Sequence, residues 1–407
     1  MNPLTYLKEK GLRRALQVIW LFKLPKIQVS IVALLTRGRT LENKIVIESH
    51  NDFDCNGGAL YDWLIENGYN DRIKIVWRLY HDAPAHLPKN VSCVSVYGPS
   101  WKKAWAICTA KWLTADCTVA DKVREDQVSV YMTHAAFSLK ETKGLVEVSP
   151  SVDYVLGLTP EMDDYFIDEC GIDAESTEIL HLGYPDLDRL FSGRHTSGYA
   201  SNTHSAKKVI LWMPTFRKGV AYGREDSNAI LPYGVPLIDS ESRLIDLNEL
   251  LAKLNMVLVV KLHPKQDVSS IGLDKLGNVV LLTGDAVRKS AFDNYDLMLE
   301  ASALISDYSG AAYQYLVLNR PLAFVLSDLD EYKVGLINHP EDYMPGSKIM
   351  TYEGLCSFIR EVAVGSDCYS EERRALRSKF YGDCDARSCE RLVRFLGILS
   401  EDEKDNG

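Results

Sequence analysis

The sequence lacks the markers of several large protein classes. No stretch reaches the ~20 apolar residues that a membrane-spanning helix needs. The run from Ala15 to Phe22 stops at Lys23, Pro25 and Lys26, and a second runs only from Ile27 to Leu35. No small-residue cleavage site follows an apolar core of the kind that marks a secretory signal. The nine cysteines are scattered, odd in number and without a CxxC pair. That argues against a structural zinc site and for a reduced, cytosolic compartment. With 26 glycines and 15 prolines among 407 residues there is no room for long low-complexity linkers. The phosphate loop GxxxxGK(S/T), a GxGxxG after a strand, HExxH and GxSxG are all missing, which removes the commonest nucleotide-binding, zinc-protease and serine-hydrolase readings. A broad cationic surface is missing too: the net charge is −10, and an acidic body argues against nucleic acid as a partner.

What remains is globular. The hydrophobic fraction is 46% and the charged fraction 25%, ordinary values for a folded chain of two to three domains. The charge is unevenly spread. Residues 1–44 hold nine cations against Glu9 and Glu42, so the rest of the chain carries −17. Leu4, Leu7, Leu12, Leu16, Ile19 and Trp20 recur there at roughly helical spacing. A basic, partly apolar segment of this kind suits an anionic membrane surface, and equally a packing helix with a basic outer face.

Beyond it, apolar runs alternate with helical patterns. Residues 44–49, 73–79, 128–133, 153–158, 209–213, 256–262, 279–282, 303–306 and 321–326 read as strands, and 59–67, 100–112, 244–254, 310–318 and 352–363 as helices. This alternation predicts an α/β protein with parallel sheets covered on both faces. The polar run Ser192–Lys207 divides it into halves. The expected organisation is a basic amphipathic segment over 1–43, an α/β domain over 44–195, a second α/β domain over 205–369, and a C-terminal helix and tail over 370–407.

In open parallel sheets ligands bind beyond the carboxyl ends of strands. Four motifs fall at such ends: His134; Thr215 to Arg217; His263–Pro264; and Asp307-Tyr308-Ser309-Gly310, followed at once by a helix. The strand–turn–helix at Ser309 presents free backbone N–H groups, which suits a phosphate, although Ser309 also serves as an ordinary helix cap. Arg217 could clamp a phosphate with two parallel hydrogen bonds or sit in a surface ion pair. His134 and His263 are candidate bases because imidazole titrates near neutral pH. The other histidines have no supporting pattern. The triplets Asp52-Phe53-Asp54, Asp186-Leu187-Asp188 and Asp328-Leu329-Asp330 are of a kind that can hold a divalent cation, and are also frequent by chance.

These motifs, in this order, resemble the CDP-glycerol glycerophosphotransferase family of teichoic-acid primases and polymerases. Leu304-Ile305-Ser306-Asp307-Tyr308-Ser309-Gly310, then Asn319-Arg320-Pro321 and Asp328-Leu329-Asp330-Glu331-Tyr332, are similar to its strongest block. Trp212-Met213-Pro214-Thr215-Phe216-Arg217, Lys261-Leu262-His263-Pro264, Gly183-Tyr184-Pro185 with Asp188, and the stretch from Asp54 to Tyr61 are similar to its other motifs. The family's HGTP reads His134-Ala135-Ala136-Phe137, with Lys140 at its downstream lysine, and the second serine of its DYSS is Gly310.

The resemblance implies two Rossmann-like domains facing a cleft, the GT-B-like glycosyltransferase fold. It implies CDP-glycerol or CDP-ribitol as donor and a hydroxyl of a polyprenyl-linked saccharide or growing polymer as acceptor. His134 and His263 would be catalytic. Ser309, Gly310, Arg217, Thr215 and Asp307 would handle the donor phosphates, Glu331 the nucleotide, and Asp54, Asn56 and Lys140 the acceptor side. The scheme needs no metal and no cofactor. It places the protein peripherally at the cytoplasmic face of the cell membrane, with room for self-association into a homo-oligomer. A nucleotide-sugar glycosyltransferase of the same fold and a non-catalytic membrane-docked scaffold are the alternatives.

Overall fold

A computed structural model describes residues 19–117, 119–133, 136–144, 148–193, 207–215, 217, 226–229, 231–262, 276–283 and 293–399. His134, His263, Phe216, residues 1–18, most of the expected 192–207 boundary and the C-terminal tail lie outside the described residues.

The chain forms two compact units. The first holds a seven-stranded sheet of β1 (Glu42–Glu48), β2 (Lys74–Leu79), β3 (Val91–Ser95), β4 (Ala110–Ala115), β5 (Val128–Tyr131), β6 (Tyr154–Leu156) and β7 (Glu178–Leu180). Its order is β3-β2-β1-β4-β5-β6-β7, and every pairing is parallel. The second holds six parallel strands, β8 (Lys208–Trp212), β9 (Met256–Lys261), β10 (Val279–Leu282), β11 (Ala303–Ser306), β12 (Leu322–Val325) and β13 (Ser347–Ile349). Its order is β10-β9-β8-β11-β12-β13.

Local sequence explains the elements. The helix Glu241–Lys253 buries Leu244, Leu247 and Leu251, spaced to share one face, and Ser240 caps it by accepting the Arg243 N–H at 3.4 Å. The helix Tyr352–Val364 buries Leu355, Phe358, Ile359 and Val362, begins at the Thr351 cap and ends at Gly365 in the left-handed region. Both helices close over Ile210, Trp212, Leu258, Val260 and Ile305 of the sheet. In the first unit the helix Leu24–Thr36 carries Pro25 in its first turn, where the missing N–H costs nothing. Pro25 therefore starts a helix rather than ending an apolar segment.

The division of the chain departs from the expected domains in two places. Residues 135–142 group with the second unit and residues 387–407 with the first. Phe137 explains the first: its ring packs 4.6 Å from Tyr313, 5.0 Å from Tyr343 and 4.7 Å from Phe380. The helix Ser388–Phe395 explains the second. Its Ser388 and Cys389 N–H groups donate to Asp188, both at 2.9 Å, and the Trp112 indole donates to Leu396 O at 2.8 Å. The expected tail is thus split, with the helix Ser370–Tyr381 in the second unit and the last helix in the first.

Candidate functional site

In each sheet one pair of neighbouring strands is a topological switch point, where the connections leave toward opposite edges. These pairs are β1/β4 and β8/β11. Loops diverge there and leave a crevice beyond the carboxyl ends.

At the β8/β11 switch point Thr215 meets Asp307. The Thr215 N–H donates to both carboxylate oxygens at 3.1 and 2.9 Å, and its hydroxyl donates at 2.7 Å. Arg217 lies behind them, 1% exposed. Its Nη1 donates to Asp307 at 2.9 Å and to Thr215 O at 2.8 Å, while Nε and Nη2 fork onto Asp328 at 2.6 and 3.0 Å. Burial alone would lower the Arg217 pKa, but the carboxylates of Asp307 and Asp328 outweigh it and push it up. The Tyr308 and Tyr332 rings lie 4.5 Å apart, with the guanidinium 5.6 and 5.4 Å from their centroids. The hydroxyls of both tyrosines are buried and find no hydrogen-bond partner among the described residues.

Arg217 is therefore neither an exposed clamp nor a surface ion pair in this structure: its fork is spent on Asp328. Asp307 is occupied in holding Thr215 and Arg217. Ser309 accepts the Ala311 N–H through its hydroxyl at 3.3 Å, and Gly310 caps the short helix Ala311–Leu316. Glu331 is exposed, and its backbone carbonyl accepts the Asn228 N–H at 3.0 Å. Lys140 stands with this unit and not with the first: it bridges Leu336 in antiparallel fashion, and Glu141 N donates to Gly335 O at 2.8 Å. Phe137 anchors this stretch in the second unit, whereas Asp54 and Asn56 belong to the first.

The β1/β4 switch point is acidic. Glu48 is fully buried at the end of β1; it accepts the Tyr80 hydroxyl and lies 3.6 Å from Arg78. Asp116, just past β4, donates its N–H to Glu48 O at 3.1 Å and accepts the Gly57 N–H at 3.0 Å. Burial pushes its carboxyl well up, and the negative charges of Asp186, Asp54 and Glu48 add to the effect. Asp54 begins the helix Cys55–Glu66 and accepts the Asn51 N–H at 2.9 Å, and burial raises its pKa as well.

Asn56 is 1% exposed. Its amide donates to Met132 O at 3.2 Å and Thr133 O at 2.9 Å and accepts the Asp186 N–H at 3.1 Å. Asn56 is thus a bracket inside the unit, its amide spent on three backbone groups. Asp52, Phe53, Cys55 and Thr133 all have positive φ, at 64°, 54°, 50° and 59°. Such strain in non-glycine residues persists only where the surroundings over-determine it.

Sequence reasoning missed Asp116, Glu48 and the His81–Asp52 pair, in which Asp52 accepts from His81 N and Nδ1, both at 2.9 Å. Asp328 was noticed in an acidic triplet and in the family block, without its role as the partner of Arg217. Among the described residues no group of three or more His, Cys, Asp or Glu side chains could hold a metal ion. None of the described helices is long and apolar enough to cross a membrane.

The helix Leu24–Thr36 has two apolar faces. Val29, Val32 and Ala33 pack against Ala104 and Cys108. On the outer side Ile27, Ile31, Leu34 and Leu35 are exposed, Leu34 at 72%, together with Trp20, Trp101 and Trp105. Exposed Lys23, Lys26, Arg37, Arg39 and Lys102 surround them, and Arg39 lies 5.2 Å from the Trp105 ring.

The sequence profile of the family CDP-glycerol:poly(glycerophosphate) glycerophosphotransferase matches residues 31–397. The teichoic acid glycerol-phosphate transferase of Staphylococcus aureus is 24% identical over 87% of this chain and 93% of its own. The teichoic acid glycerol-phosphate primase of Bacillus subtilis is 29% identical over 76% and 81%. The teichoic acid ribitol-phosphate primase of Bacillus spizizenii is 24% identical over 62% of this chain and 61% of that protein. Among solved structures, the wall teichoic acid polymerase TagF superposes with a TM-score of 0.70 at 19% identity, covering 97% of each chain. That likeness gives the fold.

Proposed function

Since the chain belongs to the CDP-glycerol:poly(glycerophosphate) glycerophosphotransferase family, we propose that it transfers an alditol phosphate from a CDP-alditol to a hydroxyl of a lipid-linked saccharide or polymer, releasing CMP. An acceptor oxygen attacks the β-phosphorus of the donor. The new P–O bond forms as the bond from that phosphorus to the bridging oxygen breaks, and CMP leaves with the electron pair. His134 takes the proton of the attacking hydroxyl, and His263 supports the phosphate or shares the base role. CMP is a good leaving group, so positioning and charge stabilisation carry most of the catalysis.

The observation that carries this reading is the Thr215–Asp307–Arg217–Asp328 network at the β8/β11 switch point. A parallel α/β sheet binds ligands at such a place. In this proposal Arg217 and Asp307 act by holding Thr215 and the turn to Ser309, whose hydroxyl and neighbouring N–H groups receive the donor phosphates. Glu331, exposed on the adjoining turn, receives the nucleotide. Asp54 lies on the acceptor side. The exposed apolar stripe on the helix Leu24–Thr36, ringed by cations, docks on an anionic membrane surface, which would bring the enzyme to a lipid-linked acceptor.

The test is CMP release from CDP-glycerol, CDP-ribitol and UDP-sugars, each with and without a lipid-linked saccharide, for wild type and His134→Ala. Acceptor-dependent CMP release that His134→Ala abolishes is the expected result. Turnover of a UDP-sugar alone would transfer the reading to a glycosyltransferase. Donor binding without any turnover would leave a scaffold.

A further inference from the structure

We propose that Asn56 is the positioning residue of the acceptor-side machinery, fixing the strained backbone from which His134 follows in the chain. This rests on the proposed role of His134.

The ladder of the first sheet ends where Met132 N donates to Ala115 O at 2.8 Å. The next residue, Thr133, is β-branched yet has φ +59°, a conformation that such a side chain resists. Asn56 meets the chain there. One Nδ2 group donates to both successive carbonyls, Met132 O and Thr133 O, while Oδ1 accepts the N–H of Asp186.

The direction of each bond follows from chemistry alone. Carbonyls only accept and a backbone N–H only donates, so the amide cannot be turned over. Aspartate could not donate to either carbonyl when ionised, and leucine could make none of the three bonds. Asn56 also ties the turn after Gly183-Tyr184-Pro185 to the same point. Two motifs far apart in sequence are thus joined through one buried side chain.

The helix is seated to allow this. Gly57 and Gly58 follow Asn56, and a Cβ at these positions would lie 3.0 Å from Glu48 O and 2.5 Å from Phe53 O. The pair lets the start of the helix Cys55–Glu66 sit close against the carboxyl end of β1 and the Phe53 turn, with the Asn56 amide at the Thr133 turn. The bonds from Asn56 to the carbonyls on either side over-determine the Thr133 conformation. Strain of this kind is kept where it fixes the direction of the chain.

The experiment measures kcat, KM for CDP-glycerol and thermal stability for Asn56→Ala, Asn56→Asp, His134→Ala, Thr177→Ala and the double variant Asn56→Ala with Thr133→Gly. Thr177→Ala removes a buried hydrogen bond to Val152 O at the amino end of β7 and serves as the control for stability loss alone. Asn56→Ala and Asn56→Asp are expected to lose about 100-fold in kcat, the scale of a small misplacement of a reacting group. KM for CDP-glycerol should stay within about twofold of wild type, because a misplaced base leaves donor binding alone. Thr177→Ala should keep its kcat per folded molecule. In the double variant glycine relieves the positive φ, so the melting temperature should recover while kcat stays low. Wild-type kcat in Asn56→Ala, or recovery of kcat together with stability in the double variant, overturns this proposal even if His134→Ala is inactive. An active His134→Ala overturns the role of His134 itself, which is a different and separately readable failure.

Discussion

With Asp307 on one side of its guanidinium and Asp328 on the other, Arg217 neutralises two buried carboxylates at once. Removing it leaves both charges without their counterion. Arg217→Ala should therefore cost about 3–5 kcal/mol in thermal unfolding, and Arg217→Lys should restore the charge but not the fork on Asp328. Both variants should lose CMP release through displacement of Thr215. Asp116 makes the opposite demand. Its carboxyl is raised well above 3.8 by burial and by the neighbouring acids, so the folded state holds its proton longer than the unfolded chain does. As pH rises through the folded value the folded state must either ionise a buried acid or keep a proton that the unfolded chain has released. Stability then falls. Asp116→Asn should be more stable than wild type near pH 8 and lose that advantage near pH 4, in about that window, as read by melting temperature against pH. Thr215, Arg217, Asp307 and Ser309 were legible in the sequence because motif residues at strand ends stand out. Asp116 and Glu48 were not, because their chemistry comes from burial, which no local pattern reports.

At the scale of elements, the strands buried on both faces were the most legible. The runs at 209–213, 256–262 and 303–306 became β8, β9 and β11 with shifts of a residue or so. β4 was hidden. The helical pattern was read through residue 112, but the helix ends at Thr109 and the strand begins at Ala110 with no glycine or proline between them. β3, β7 and β13 escaped because they show no apolar run: β3 is half-buried with Ser92 and Ser95 in it, β7 opens on exposed Glu178, and β13 carries Ser347 and exposed Lys348. The glycine pair at the start of the helix Cys55–Glu66 gives a test at this scale. Gly58→Ala places a methyl 2.5 Å from Phe53 O, a contact that cannot persist, and should cost at least about 1–3 kcal/mol. Gly354→Ala, whose Cβ would meet its neighbours at 3.6 Å, should be tolerated. The outer stripe of the helix Leu24–Thr36 gives another. Ile31→Glu or Leu34→Glu should weaken sedimentation with anionic liposomes roughly tenfold each while leaving the melting temperature unchanged. An unchanged partition would mean that the stripe does not meet lipid.

Two units, each with a parallel sheet and a switch point at the carboxyl ends of its strands, divide the proposed labour: the first carries the acceptor-side residues and the second the donor-side network. The α/β class and the parallel sheets were legible from alternation alone. The path of the chain between the units was not, because it depends on Phe137 finding Tyr313, Tyr343 and Phe380, and on the last helix finding Asp188, contacts between residues far apart in sequence. The central claim is transfer of an alditol phosphate onto an acceptor, and the most direct measurement is the mass of a lipid-linked saccharide after incubation with the protein and CDP-glycerol or CDP-ribitol. The account predicts a gain of one or more alditol-phosphate units, dependent on His134. An acceptor of unchanged mass beside a donor that the protein binds, or a gain of a sugar from a UDP-sugar instead, would contradict it.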